Sequence, residues 1–128
     1  MIVGLGTDVV SIERIAKMLP KSGDAFIEKI CSKGEKQYLQ SCADITPKLA
    51  KLWAAKEAAV KALGTGFVDG INFKDVELKH NSLGRPELEF HGTALQKLQT
   101  LTDNRHNIVV SLSDDKPWAQ AVVIIEKI

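Results

Sequence analysis

Fourteen consecutive residues, Trp53-Ala54-Ala55-Lys56-Glu57-Ala58-Ala59-Val60-Lys61-Ala62-Leu63-Gly64-Thr65-Gly66, restrict this chain more than any other part of it. They read as a helix of small and apolar side chains, and a helix apolar nearly all round requires burial. Yet Lys56, Glu57 and Lys61 lie within it. Charges persist in a core only when paired or bound to a metal or ligand. The helix then stops at Gly64-Thr65-Gly66, where glycines permit a tight turn with exposed amides. Buried charge delivered to such a turn marks a candidate site. Lys56 falls in the apolar stripe of Leu49, Leu52, Trp53 and Val60, so a buried acidic or carbonyl partner is expected for it elsewhere in the chain.

The rest of the chain is ordinary enough to make that segment stand out. At 128 residues, 45% hydrophobic and 26% charged, residues 1–128 form one domain with a real core. A net charge of +1 gives no support for nucleic-acid binding. The first 63 residues carry 10 Lys/Arg and 7 Asp/Glu, residues 64–128 carry 7 and 9, so a local basic face is possible in the first half. Met1 to Asp8 lacks the basic leader and long apolar core of a secretory signal. No segment approaches the ~20 apolar residues of a membrane span. Cys31 and Cys42 have no metal-ligand or redox spacing. A cytoplasmic protein with reduced thiols and no membrane attachment is expected.

The pattern predicts a short buried strand over Ile2–Leu5, ended by Gly6-Thr7-Asp8. Ser11 caps a helix from Ile12 to Leu19 that stops before Pro20. Asp24 begins a second helix through Ile30, Ser32 a third through Leu39, and Thr46-Pro47 opens the central helix. Ile71–Leu78 alternates as a strand, Asn81–Pro86 is a turn, and Glu87–His91 is the return strand. Thr93–Leu101 has helical spacing. Asn107–Ser113 and Ala119–Ile125 finish as strands, and the run Val122-Val123-Ile124-Ile125 suits a central strand covered on both faces. The order argues for an α+β fold.

Asp8, at the end of a buried strand, and Glu57, inside a buried helix, form a candidate carboxylate pair. One or two carboxylates, with waters and substrate phosphates, are how proteins usually hold Mg²⁺. Lys61 follows Glu57 by four residues, which is also the spacing of a simple helix ion pair. Lys61 with the amides of Gly64, Thr65 and Gly66 could hold a phosphate, although the glycine spacing is not that of a P-loop. Arg14, Lys17 and Lys21 around Met18 would suit an acidic helix laid across them. Ser111 and Ser113 project from one side of their strand, toward a ligand or solvent. His80, His91 and His106 share no metal or triad spacing.

Four blocks together resemble the holo-acyl-carrier-protein synthase family, the small phosphopantetheinyl transferases. They are Gly4-Leu5-Gly6-Thr7-Asp8-Val9-Val10 with Arg14-Ile15; Trp53 to Gly66; Asn81-x-x-Gly84-x-Pro86; and Val110-Ser111-Leu112-Ser113-Asp114 with the terminal strand. The resemblance implies a mainly antiparallel sheet packed around a long central helix, the phosphopantetheinyl transferase fold. It implies Mg²⁺-dependent transfer of 4′-phosphopantetheine from coenzyme A to a serine of apo acyl carrier protein, releasing adenosine 3′,5′-bisphosphate. By the same resemblance Asp8 and Glu57 are the Mg²⁺ ligands and Lys61 holds the pyrophosphate, with Glu57 or a metal-bound water taking the serine proton. Gly64, Thr65, Gly66, Asn81, Gly84, Pro86 and Ser111 fall at coenzyme A contacts, and Arg14, Lys17, Met18 and Lys21 on the carrier-protein surface. A homotrimer with sites between subunits is implied as well.

The chain departs from that family at Leu52, where an arginine is frequent, and at Val109, where a histidine is. Lys48 or Lys51 would then serve the 3′-phosphate, as point charges without arginine's fork. The competing readings are a non-catalytic module of the same fold that docks acidic helical partners, and an enzyme acting on another nucleotide pyrophosphate.

Overall fold

The computed structural model describes residues 1–67 and 70–128. In chain order the elements are β1 (Ile2–Ser11), α1 (Ile12–Ile30), α2 (Lys33–Gln40), α3 (Ile45–Leu63), β2 (Val76–His80), β3 (Pro86–Phe90), α4 (Gly92–Thr102), β4 (His106–Asp115) and β5 (Trp118–Lys127). β1, β5 and β4 form one antiparallel sheet in that order, and β2 pairs with β3 in a separate hairpin. The architecture is the expected α+β, with α3 laid across the sheet.

α3 is nearly all core: Leu49, Ala50, Leu52, Ala54, Ala55, Ala58, Ala59, Val60, Ala62 and Leu63 are buried. Its alanines let β1 come in at backbone distance. A Cβ on Gly6 would stand 1.8 Å from the Ala58 carbonyl oxygen, and one on Gly4 would stand 2.1 Å from that of Ala62. The strand alternates, so Gly4, Gly6, Asp8 and Val10 face the helix while Leu5, Thr7 and Val9 face away. β1 is longer than expected and carries Asp8 within its paired length, opposite Ala121.

Several boundaries differ from the sequence expectation. α1 does not stop before Pro20: helical backbone continues through it, and the break comes at Ser22 (φ −139°, ψ 19°), with Asp24 inside the merged helix. Proline costs a helix one amide donor and crowds the preceding turn, and the chain absorbs this as a kink. Residues Phe73–Asp75 form a 3₁₀ turn before β2 begins at Val76, so Ile71–Leu78 is not one strand. β5 is central, but only one of its faces is covered: Ala119, Ala121, Val123 and Ile125 are buried while Val122 and Ile124 are half-exposed. α2 starts at Ser32 as expected, with Ser32 and Glu35 bonded reciprocally as a capping box.

Lys56 has both kinds of partner that its position demanded. Its ammonium lies 2.9 Å from Glu35 Oε1 and donates to the carbonyls of Phe73 (2.8 Å) and Val76. The two side chains are 0% and 1% exposed. Burial pushes the Lys56 ammonium down in pKa, and the Glu35 carboxylate opposes that shift.

Replacing Gly6 with alanine forces a methyl into the Ala58 carbonyl. Gly6→Ala is expected to lose about 1–3 kcal/mol, read as a lower denaturation midpoint in urea with an unchanged slope. A variant as stable as the parent would show that β1 and α3 are not in backbone contact.

Candidate active site

β1 and α3 bring Asp8, Glu57 and Lys61 together, as the sequence predicted. The pairing inside the group is different from a helix ion pair. Lys61 donates to Asp8 Oδ1 at 3.0 Å and to the Thr7 carbonyl at 3.1 Å, crossing from helix to strand. Glu57 is left with a surplus of negative charge. Burial raises its carboxyl pKa, Asp8 raises it further, and Lys61 only partly offsets both. Two carboxylates sharing one lysine, at the wall of a water-accessible cleft, suit a divalent cation with open positions for phosphate oxygens.

That cleft has a volume of about 630 Å³ and continues from Asp8 and Glu57 to Arg14, Lys17, Met18 and Lys21 on α1. The candidate catalytic group and the candidate docking face thus share one opening. Ser11 positions α1 by accepting from the Arg14 amide at 3.3 Å. Arg14, Lys17 and Lys21 are exposed, and Lys17 forms a solvated pair with Glu13 at 3.1 Å.

The glycine turn corrects one expectation. Gly64 sits in the left-handed region (φ +81°), and its amide bonds the Lys61 carbonyl. The amides of Thr65 and Gly66 both reach the Val60 carbonyl at 3.3 Å. These donors close the C-terminus of α3 and are not presented as a phosphate cradle.

A second cleft, about 230 Å³, opens between α2, α3 and the β2–β3 turn. Gly84 and Pro86 line it, together with Lys48, Lys51, His80 and Tyr38. Asn81 builds the turn, its Oδ1 accepting from the amides of Leu83 (2.9 Å) and Arg85 (3.0 Å). The His80 ring stacks on Tyr38 with centroids 4.6 Å apart. Burial lowers the His80 pKa, and Lys48 and Lys51 lower it further, so the ring is neutral at neutral pH beside two ammonium groups.

Residues 4–121 match the 4′-phosphopantetheinyl transferase superfamily. The holo-[acyl-carrier-protein] synthase of Cereibacter sphaeroides is 44% identical over 128 residues, covering 98% of this chain and 93% of its own. The chain belongs to that synthase family.

The synthase of Bartonella henselae is 43% identical, with 98% of this chain and 96% of the relative covered. Among solved synthases, that of Neisseria meningitidis aligns at a TM-score of 0.87 with 36% identity, over 99% of this chain and 100% of that one. The Bacillus anthracis synthase in complex with CoA (3′,5′-ADP) aligns at 0.82 with 32% identity, over 100% and 99%. This chain is therefore a phosphopantetheinyl transferase. Among the described residues, no helix is long and apolar enough to cross a membrane.

Of the expected coenzyme A contacts, Gly84 and Pro86 line the second cleft, while Lys61, Gly64, Thr65, Gly66, Asn81 and Ser111 line neither cleft. Val110 points to the core, so Ser111 and Val109 lie on the opposite, outer face of β4. Leu52 is buried, while Lys48 and Lys51 reach the second cleft and Lys51 pairs with Asp114 at 2.8 Å. Sequence reasoning missed Tyr38 and His80; His80 directly precedes the Asn81 turn, which is the one signal that pointed there. It also missed the grouping of Glu77, Glu89 and His91, whose ligand atoms lie within 4.8 Å of one another. That group is already served by Lys79, 2.8 Å from Glu89, and by the Ser32 hydroxyl, which donates to Glu77 at 2.7 Å.

The Glu57 shift has a sign that can be measured. Its folded pKa lies above the ordinary 4.5, so the ionised group opposes folding at neutral pH, and this opposition fades as pH falls through the folded value. Metal-free Glu57→Gln is expected to melt higher than the parent at neutral pH. The gap should close below pH 4.5. A variant less stable at neutral pH would remove the surplus charge from the site.

Proposed function

We propose that this transferase moves 4′-phosphopantetheine from coenzyme A to a serine of apo acyl carrier protein, with Mg²⁺ held by Asp8 and Glu57. The observation that carries the reading is the carboxylate pair on β1 and α3, short of positive charge and opening into the same cleft as a basic helix. Bound there, the cation would supply charge neutralisation to pyrophosphate oxygens as the leaving group departs. The chain's own residues do the rest. Lys61, held by Asp8 and the Thr7 carbonyl, directs a second positive charge at the developing anion. Arg14, Lys17, Met18 and Lys21 receive the acidic carrier surface, so that its serine enters the cleft beside Glu57. The serine oxygen bonds to the phosphorus of the phosphopantetheine phosphate, the bond to the adenosine bisphosphate breaks, and the serine proton leaves to Glu57 or solvent.

The second cleft supports a site for the nucleotide end. Gly84 and Pro86 offer the turn to the adenine, with Asn81 holding that turn in shape, and Lys48 and Lys51 offer positive charge to the 3′-phosphate, while His80, neutral because its pKa is lowered, lines the cleft beside them. Gly64, Thr65 and Gly66 lie at the other end of α3, just beyond Lys61, and belong with the pyrophosphate end of coenzyme A instead. A docking module without catalysis would have no use for the Asp8–Glu57 pair. Reduced cysteines fit a cytoplasmic setting: burial pushes the Cys31 thiol up to about 11 from 9.0, far from reactive.

A homotrimer is supported by the uncovered sheet face. Leu5 (64% exposed), Val9 (56%) and Trp118 (54%) lie there with half-exposed Val122 and Ile124, a patch of the kind that marks an interface. Ser111 shares that face, so it would serve a neighbour's coenzyme A.

Intact-mass spectrometry provides the decisive experiment. Apo acyl carrier protein mixed with the chain, coenzyme A and Mg²⁺ should gain one phosphopantetheine. Glu57→Gln should slow the gain by about 100-fold or more. No gain with matched carriers from bacterial fatty-acid synthesis would refute the reading. Sedimentation should give three times the 14.0 kDa of one chain, and Leu5→Lys should dissociate it. A fully active monomeric parent would exclude shared sites.

A further inference from the structure

The Glu35–Lys56 pair is unaccounted for by the chemistry above. A fully buried lysine and glutamate are expensive to desolvate, and a packed apolar pair is often as stable. Stability is therefore a weak reason for them. Their hydrogen bonds do something an apolar contact does not. The Lys56 ammonium meets Glu35, the Phe73 carbonyl and the Val76 carbonyl. Glu35 Oε1 also accepts from the Ser32 amide, and Oε2 from the Leu78 amide, each at 2.8 Å. Val76 and Leu78 alternate along β2, so the groups bonded here lie on the edge of β2 that faces away from β3. That edge docks to two helices through an ion pair instead of through another strand.

The same three elements carry most of the lining of the second cleft, which Gly84, Pro86 and Leu112 complete. Glu35 lies one turn before Tyr38 on α2, Lys56 lies on α3 beyond Lys48 and Lys51, and Leu78 is two residues before His80 on β2. One pair thus ties α2, α3 and β2 to one another by directional bonds in the buried interior.

We infer that Glu35 and Lys56 are positioning residues for the nucleotide end of coenzyme A, holding the β2–β3 turn at the distance from α3 that the nucleotide requires. The inference rests on the reading that the second cleft takes that end. Neither residue touches substrate; they act through Tyr38, His80 and the turn.

The test uses Glu35→Gln, Lys56→Met and the apolar double variant Glu35→Leu/Lys56→Met in the full chain. Calorimetry with adenosine 3′,5′-bisphosphate and steady-state transfer kinetics provide the readouts. The single variants should raise the bisphosphate Kd and the KM for coenzyme A about tenfold while kcat stays within about threefold and the KM for carrier protein is unchanged. The double variant should recover the thermal midpoint but not the nucleotide affinity, and should carry the test if a single variant does not fold. Parent-like affinity in the double variant would overturn the inference. So would losses confined to kcat, losses that extend equally to carrier protein, or a double variant that cannot fold. Failure of the parent chain itself to bind the bisphosphate would instead refute the assignment of the cleft.

Discussion

The candidate active site depends on a strand lying against a helix without side chains between them. Gly4 and Gly6 meet the carbonyls of Ala62 and Ala58 at distances that leave no room for a Cβ. The small residues on both sides are the condition for Asp8 to stand beside Glu57 and for Lys61 to reach across to Asp8. A bulkier strand would hold the same residues apart, and the carboxylate pair would become two ordinary surface acids. The raised pKa of Glu57 follows first from its burial in that contact and then from Asp8 beside it.

Two different solutions to buried charge occur within five residues of α3. Lys56 is completely satisfied by a carboxylate and two carbonyls, so it is silent toward ligands and firm toward structure. Glu57, its chain neighbour, is incompletely satisfied, and for that reason is available to a cation. Adjacent helix positions differ by about 100° in direction, which separates the two roles without any change in the helix itself.

The juxtaposition of Asp8 with Glu57 and the basic face of α1 were legible in the sequence because their signals are local or carried by a family pattern. Lys56 was legible as a problem but its solution was not, since Glu35 lies on another helix and no sequence spacing links the two. The second cleft was partly legible: Gly84 and Pro86 were named from the family pattern, whereas Tyr38 and His80 meet only through the tertiary packing of α2 on β2. Pro20 misled because a proline signal carries no information on whether the surrounding helix can kink and continue. The β-branched run of β5 misled in a different way. Its apolar pattern reports that both faces avoid water, and one chain supplies a cover for only one of them.

β1 has a further consequence. Its inward residues build the candidate catalytic group while its outward residues, Leu5 and Val9, belong to the exposed apolar face. A period of two makes those roles interchangeable by a single-residue slip. Deleting or inserting one residue before Asp8 would turn the carboxylate outward and drive leucine or valine into the space that glycine keeps open. The length of the strand is therefore as constrained as its glycines: the carboxylate and the exposed apolar face lie on opposite sides of one ribbon, and a slip displaces both at once.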